Sequence, residues 1–357
     1  MTETRTRPGT SAPARPRPGL PRRLLLLVPW ILLVVVGVGL STGNAYLVTV
    51  GIVTSIWSIL ALGLNLLMGY TGLINLGLGA FYALGAYGAA IATIRWGWPP
   101  WLALIVMPIA GALLGALLGP ALLRTRGLHF AVATLGLGII VSDVTENWVG
   151  VTGGPLGIAG IERPAGFSLG GFRFDPTQDS QFLLMMVVLL VLVALGALAF
   201  HRSSVARVLI AARDDEMLAA SLGFRALGYR VLAFAASAGV AAFAGVLYAW
   251  FIRYVSPPPF TFFALSFQVV VLVVVGGAGS LWGPIVGAAF LTGIPELIEL
   301  EAHDKVIAYG LVLLAVIVLL PKGIVPTVHG WWRAWMRSRT SRSDDTTATA
   351  TTPEEMV

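Results

Sequence analysis

The sequence predicts an all-α, polytopic membrane protein of about ten transmembrane helices with an internal repeat. Three observations carry this. Of 357 residues, 57% are hydrophobic and only 11% are charged, with a mean hydropathy of +0.86, whereas an average soluble domain is about 45–50% apolar and about 25% charged. The apolar residues fall into runs, most of them near the roughly 20 residues that a bilayer-spanning helix needs. Arg and Lys concentrate in alternate connections between those runs.

Residues 1–23 hold six Arg, five Pro and one acid, a composition that cannot build a core, and are expected to form a disordered cytosolic tail. The run at 24–40 is longer than a usual signal-peptide core and no convincing A-x-A site follows, so it is read as an uncleaved first span. Further runs follow at 46–68, 73–94, 101–123, 128–142, 181–200, 231–252, 261–275, 282–298 and 305–320. The transmembrane domain is thus expected over 24–320, with 321–357 as a second cytosolic tail. Because basic residues stay on the cytosolic side, ten spans with both termini inside place Arg124 and Arg126, the 201–230 segment with its five Arg, and Lys322, Arg333, Arg337, Arg339 and Arg342 in the cytosol. The 143–181 loop, richer in acids, then lies outside, with the single basic residues Arg95 and Arg253 in other outer loops.

The runs at 128–142 and 261–275 are about 15 residues, short for about 30 Å of hydrocarbon. Short segments persist at membrane depth where they are buried in protein or line a cavity. Two helix pairs meet at glycine-rich turns, one at Gly69 and Gly72, the other at Gly276, Gly277 and Gly279. Interruptions in corresponding places of two halves point to a transporter's repeats and central path; simple hairpin turns are the alternative. Gly111, Gly115 and Gly119 recur every fourth residue, a stripe that lets helix backbones pack closely.

Much chemistry is missing. Without Cys there are no disulfides or thiolate sites, and four scattered His do not suggest a metal site. Both lysines, Lys305 and Lys322, lack a preceding glycine, so the chain has no nucleotide-binding P-loop. Span interiors are nearly free of Asp, Glu, Arg and Lys, which disfavours proton or ion coupling. Their main polar residues are Asn65, Asn75, Thr134, Ser237, Ser266 and Gln268; of these, Asn65, Asn75, Thr134, Ser266 and Gln268 are candidates for a translocation path, with interhelical hydrogen bonding as the equal alternative. In the cytosolic stretch 211–224, Arg213, Asp214, Asp215 and Glu216 open a helical pattern that includes Ala220 and closes at Gly223. With Met217, Leu222 and Phe224 on one face, it is a surface on which a cytosolic partner can push, or else an ordinary solvated loop helix.

Four motifs in order then carry a family resemblance: Ala61 to Tyr87, Thr125 to Gly138 leading to Thr152-Gly153-Gly154, the 211–224 segment, and Val274 to Phe290. Across about 46–325 the chain resembles the LivM-type permease subunit of branched-chain amino acid ABC importers. Pro155-Leu156-Gly157 after T-G-G and His129 after R-G-L depart from the usual pattern. The resemblance implies the ABC importer permease (LivM/ribose-permease-like) architecture, in a bacterial cytoplasmic membrane. It implies a non-enzymatic transport subunit for Leu, Ile and Val; urea, short amides or other small solutes, or ion-coupled secondary transport, are the alternatives. It also implies a LivH-like permease partner, an extracytoplasmic solute-binding protein, and two cytosolic ATPases that use ATP and Mg. By the same resemblance, Arg213 to Gly223 would be the coupling helix that seats in the ATPase.

Overall fold

The computed structural model describes residues 28–41, 43–125, 127–169 and 172–293, with a few further positions between 310 and 331. The expected tail at 1–23, nearly all of the 305–320 run and most of the 321–357 tail lie outside the described residues. Eleven helices of six residues or more are present among those described: α1 (Val28–Ser41), α2 (Ala45–Thr71), α3 (Leu78–Ile94), α4 (Pro100–Leu122), α5 (Leu128–Asn147), α6 (Asp179–Arg202), α7 (Ser204–Asp214), α8 (Glu216–Ser221), α9 (Ala226–Ile252), α10 (Phe267–Gly276) and α11 (Gly283–Ala288). Single π-helical turns precede α10 at Phe262–Ser266 and follow α11 at Ala289–Gly293. Five helices, α2, α4, α5, α6 and α9, are long and apolar enough to cross a membrane. Together with shorter apolar helices, they make a polytopic bundle.

The core is organised around α9, whose buried face is two-thirds Ala and Gly, with Phe234 and Trp250 as its large members. Small side chains let neighbouring backbones approach, and in a bilayer that close packing replaces the hydrophobic drive that water would supply. The α4 glycine stripe lies on this face. A Cβ on Gly111 would stand 2.6 Å from Ala242 Cβ, and one on Gly115 would stand 2.7 Å from Ala238 Cβ. Gly119 meets Val231 and Phe234, so α4 and α9 run antiparallel. The opposite face of α4 is Ile105, Ile109, Leu113 and Leu117, all exposed, a four-residue repeat of apolar side chains suited to lipid. Where α3 crosses α9, the backbones touch: a Cβ on Gly85 would stand 1.9 Å from Ala242 O and one on Gly245 would stand 2.1 Å from Tyr82 O. On the other side, α2 runs parallel to α6, with Gly51 against Leu183 near their starts and Tyr70 against Phe200 and His201 near their ends.

Between α5 and α6 the chain forms a compact cap. Thr152 Oγ1 donates to Thr145 O (2.7 Å) and Trp148 O (2.9 Å), and accepts from Gly154 N–H (3.1 Å). Gly153, Gly154 and Gly157 all have positive φ. At Gly153 and Gly157 a Cβ would run into a carbonyl oxygen at 2.1 Å, so the T-G-G-P-L-G stretch is a folded turn that only glycine permits. It leads into β1 (Ile158–Ala159), and a hairpin follows, β2 (Phe167–Leu169) with β3 (Phe172–Phe174). β1 pairs antiparallel with β4 (Tyr254–Val255), which follows α9.

Several boundaries differ from the sequence reading. The run at 128–142 is not short: α5 continues through Ser142, Asp143 and Glu146 to Asn147, 20 residues in all, because polar residues prolong a helix that hydropathy cuts off. The 143–181 loop shrinks accordingly, losing five residues to α5 and three to α6. The 73–94 run begins its helix only at Leu78, which places Asn75 in a non-helical break. Gly69 belongs to the last helical turn of α2 and Gly276 to that of α10; the chain turns at Gly72 and Gly277. The helix expected from Arg213 is broken in two, since Asp215 is extended (φ −150°, ψ 106°). The 261–275 run is short as expected: with its π turn it covers Phe262 to Gly276, 15 residues, or about 22 Å.

Candidate functional site

The two glycine turns meet. α2 ends at Gly72, whose positive φ (72°) allows its N–H to reach back to Met68 O (3.0 Å), a left-handed stop that favours glycine. One turn earlier, Gly69 lies against the second turn: a Cβ there would stand 2.8 Å from Gly279 N. Asn65 fastens the contact from both ends of its amide, with Oδ1 accepting from Gly279 N–H (2.8 Å) and Nδ2 donating to Ser280 O (2.9 Å). Ser280 Oγ in turn donates to Gly277 O (2.8 Å) and accepts from Gly283 N–H (2.9 Å), closing the turn between α10 and α11. Gly323 packs on the same turn from further along the chain, where a Cβ would stand 2.5 Å from Gly277 Cα.

Arg213 reaches this junction from α7. Its guanidinium donates to Gly69 O (3.0 Å), one of the four carbonyls that the C-terminus of α2 leaves without a helical partner. A cation there also complements the negative end of the helix dipole. Arg213 is the penultimate residue of α7. Immediately after it Asp215 caps α8, its carboxylate accepting from Leu218 N–H (3.0 Å). Glu216 pairs with Arg230 at the start of α9 (3.2 Å), and Gly223 ends the segment with φ 86°. Ala219 is buried, while Met217, Leu218, Ala220, Leu222 and Phe224 are exposed. The segment is therefore held at its base and presents an apolar surface outward. Asp214 contributes the last residue of α7 and stays exposed.

The five residues expected along a path separate into groups. Asn75, Thr134 and Ser266 gather around the break before α3, where helix N–H groups need acceptors. Thr134 Oγ1 accepts from Leu76 N–H (3.1 Å), Asn75 Oδ1 from Gly77 N–H (2.9 Å) and Ser266 Oγ from Gly79 N–H (3.2 Å). All three are buried, and together they tie the starts of α3, α5 and α10 into one point. Asn65 belongs to the glycine junction. Gln268 joins neither group; it is half-buried on α10 and makes no hydrogen bond among the described residues.

Sequence reasoning passed over Arg163 because it stands in a loop. Its side chain is 4% exposed, ion-pairs with Asp179 (2.7 Å) at the start of α6 and donates to Trp250 O (3.3 Å) at the end of α9 and to Thr177 O (3.2 Å). It also stacks over the Phe182 ring at 4.2 Å. The signal available was that Arg163 is one of only two cations in a loop with five acids. Equally unforeseen is the aromatic group of Tyr82, Tyr87, Tyr248 and Phe260, with ring centroids 5.5 to 6.0 Å apart. Its members come from α3, α9 and the Pro258–Phe260 turn, which only the fold brings together.

Helices long and apolar enough to cross a membrane, two glycine turns that meet and buried polar groups spent on helix ends are the make-up of a packed polytopic membrane bundle. Comparison with known proteins agrees. The model of the branched-chain amino acid transport system permease component matches residues 46–321. The chain is 34% identical over 321 residues to the high-affinity branched-chain amino acid transport system permease protein LivM of Escherichia coli (strain K12), covering 85% of this chain and 73% of that protein. The LivM protein of Salmonella typhimurium matches to the same extent. The autoinducer 2 import system permease protein LsrC of an Enterobacter species is 30% identical over 305 residues, 81% of this chain and 84% of the relative. No solved structure matches the chain. The chain thus belongs to the family of branched-chain amino acid transport system permease components and is similar to LivM over most of its length.

Proposed function

We propose that the chain is the permease subunit of an ATP-driven importer that carries leucine, isoleucine and valine across the bacterial cytoplasmic membrane. Separate cytosolic subunits bind ATP and Mg and hydrolyse the nucleotide, a LivH-like permease completes the conduit and a solute-binding protein delivers substrate. The observation that carries this reading is the link from an exposed apolar segment to the centre of the bundle. Met217, Leu218, Leu222 and Phe224 offer a seat to a partner, and Arg213 at the base of that segment grips Gly69 O. Gly69 in turn packs on Gly279, which Asn65 also holds. A push on α8 therefore reaches both glycine turns through two hydrogen bonds and one backbone contact. Substrate affinity in the path stays low, because the binding protein supplies recognition and ATP supplies direction.

In this reading the Arg-rich 201–230 segment and both termini face the cytosol, and the cap built on Thr152 and Arg163 faces the binding protein. A second reading is import of a different small solute, such as urea, a short amide or autoinducer 2, the last because the chain is similar to LsrC. The deciding experiment is uptake of radiolabelled leucine by the full complex in proteoliposomes loaded with ATP and Mg, with unlabelled isoleucine, valine or urea as competitors. Competition by the two branched-chain amino acids alone supports the first reading. Competition by urea, or uptake that needs an ion gradient and no ATPase subunit, rejects it.

A further inference from the structure

A cavity of about 270 Å³ opens between α2, α3 and α9 and the turns that precede α10. Its wall includes Val53, Trp57, Tyr82, Tyr248, Ala264 and Leu265, and no charged side chain lines it. Two features set it apart from a packing defect. Tyr82 and Tyr248 stand with ring centroids 5.5 Å apart, and neither hydroxyl has a hydrogen-bond partner among the described residues. A hydroxyl without a protein partner in an apolar wall is available to donate to, or accept from, the polar group of a ligand or water. The floor is supplied by the π turn Phe262–Ser266, a distortion that frequently marks functional sites. Within that turn Leu265 faces the cavity, while the next residue, Ser266, accepts from Gly79 N–H at the break before α3. The cavity thus adjoins the buried polar point that ties α3, α5 and α10 together.

We infer that this cavity receives the aliphatic side chain of the transported amino acid, with the Tyr82 and Tyr248 hydroxyls meeting the polar end of the molecule at its rim. The inference rests on the proposed function and names where that function reads its substrate. Apolar walls without charge suit a branched hydrocarbon and leave ammonium and carboxylate to the hydroxyls and to water outside. A lipid acyl chain would fill the same walls and leave both hydroxyls unanswered.

The test uses the full importer in proteoliposomes and compares wild type with Ala264→Trp, which fills the cavity from its exposed edge, and Tyr248→Phe, which removes one hydroxyl and keeps the ring. Assembly is checked by co-purification with the ATPases, and phospholipid retained by the purified complex is measured by native mass spectrometry. Ala264→Trp is expected to lower leucine uptake about tenfold or more, and Tyr248→Phe to lower leucine and valine uptake by the same factor, about fivefold, the scale of one lost hydrogen bond, because the two substrates share their polar end. If Ala264→Trp does not assemble, the Tyr248→Phe uptake decides alone. Wild-type uptake of leucine and valine in the assembled variants overturns the cavity assignment and leaves the proposed function standing. Loss of a bound phospholipid in Ala264→Trp with full uptake assigns the cavity to lipid and overturns it too. A wild-type complex that imports none of leucine, isoleucine and valine overturns the proposed function itself, and the cavity assignment with it.

Discussion

Asn65 shows how a single polar residue inside a span can be consumed by structure. Both ends of its amide are bonded to the second glycine turn, so Asn65→Ala strands Gly279 N–H and Ser280 O in a poorly hydrated place. Such groups cost about 1–3 kcal/mol when left unpaired, and thermal unfolding in detergent is expected to shift down accordingly, whether or not substrate is present. Gly69→Val has a different cause: the new Cβ would stand 2.8 Å from Gly279 N and 2.9 Å from its Cα, and backbone cannot give way as a side chain can. Loss of folded protein on size-exclusion chromatography is the expected outcome. Arg163→Met removes the donor to Trp250 O, a cost of about 1–3 kcal/mol; its partner Asp179 is 65% exposed, so the ion pair itself adds little. Arg163→Lys is expected to recover only part of the lost stability, because a single ammonium cannot reproduce the planar fork that reaches Asp179, Thr177 O and Trp250 O together.

At the scale of elements, α4 has a glycine stripe on one face and Ile and Leu on the other, and the glycine stripe was legible as periodic spacing. What the spacing lacked was the partner: only the fold shows that Gly111, Gly115 and Gly119 seat on α9. The segment from Ser204 to Ser221 was legible in part. Its acids and Gly223 mark the start and stop of α8, with Asp215 capping it locally, but the contact of Arg213 with Gly69 O spans 144 residues and no local pattern gives it. The two halves therefore do different work, α7 packed on the bundle through Ala206, Leu209 and Ala212, and α8 offering its apolar residues outward. Met217→Ser with Leu222→Ser is expected to change thermal stability by no more than about 0.5 kcal/mol, the usual scale for exposed positions. Co-purification with the ATPase subunits is expected to fall sharply; unchanged assembly would reject α8 as the seat.

For the whole molecule, the glycine junction and the polar point before α3 are two separate ties between distant segments, one near Arg213 and one beside the Tyr82 cavity. A permease that alternates between two accesses needs such rigid pieces with discrete arrangements. Arg213→Ala keeps both hairpins intact and cuts the connection to α8. In the assembled importer it is expected to preserve ATP hydrolysis while leucine uptake falls about tenfold, within the range of ordinary coupling energies. Equal loss of hydrolysis and uptake would place Arg213 in assembly and not in transmission.

The sequence by itself determined the class of protein. Scarce charge inside long apolar runs leaves the bilayer as the solvent, and backbone hydrogen bonding there leaves helices as the form. It also marked where α2, α8 and α10 would stop, because glycine acts on the turn it closes. What only the tertiary structure decided were the contacts between distant segments: Asn65 with Ser280, Gly79 with Ser266, Arg163 with Trp250, and the tyrosine-lined cavity. Each joins residues 87 to 215 positions apart, and no local periodicity encodes such a pairing. It arises when glycine faces let particular backbones come within touching distance and the polar groups left at helix ends find their partners there.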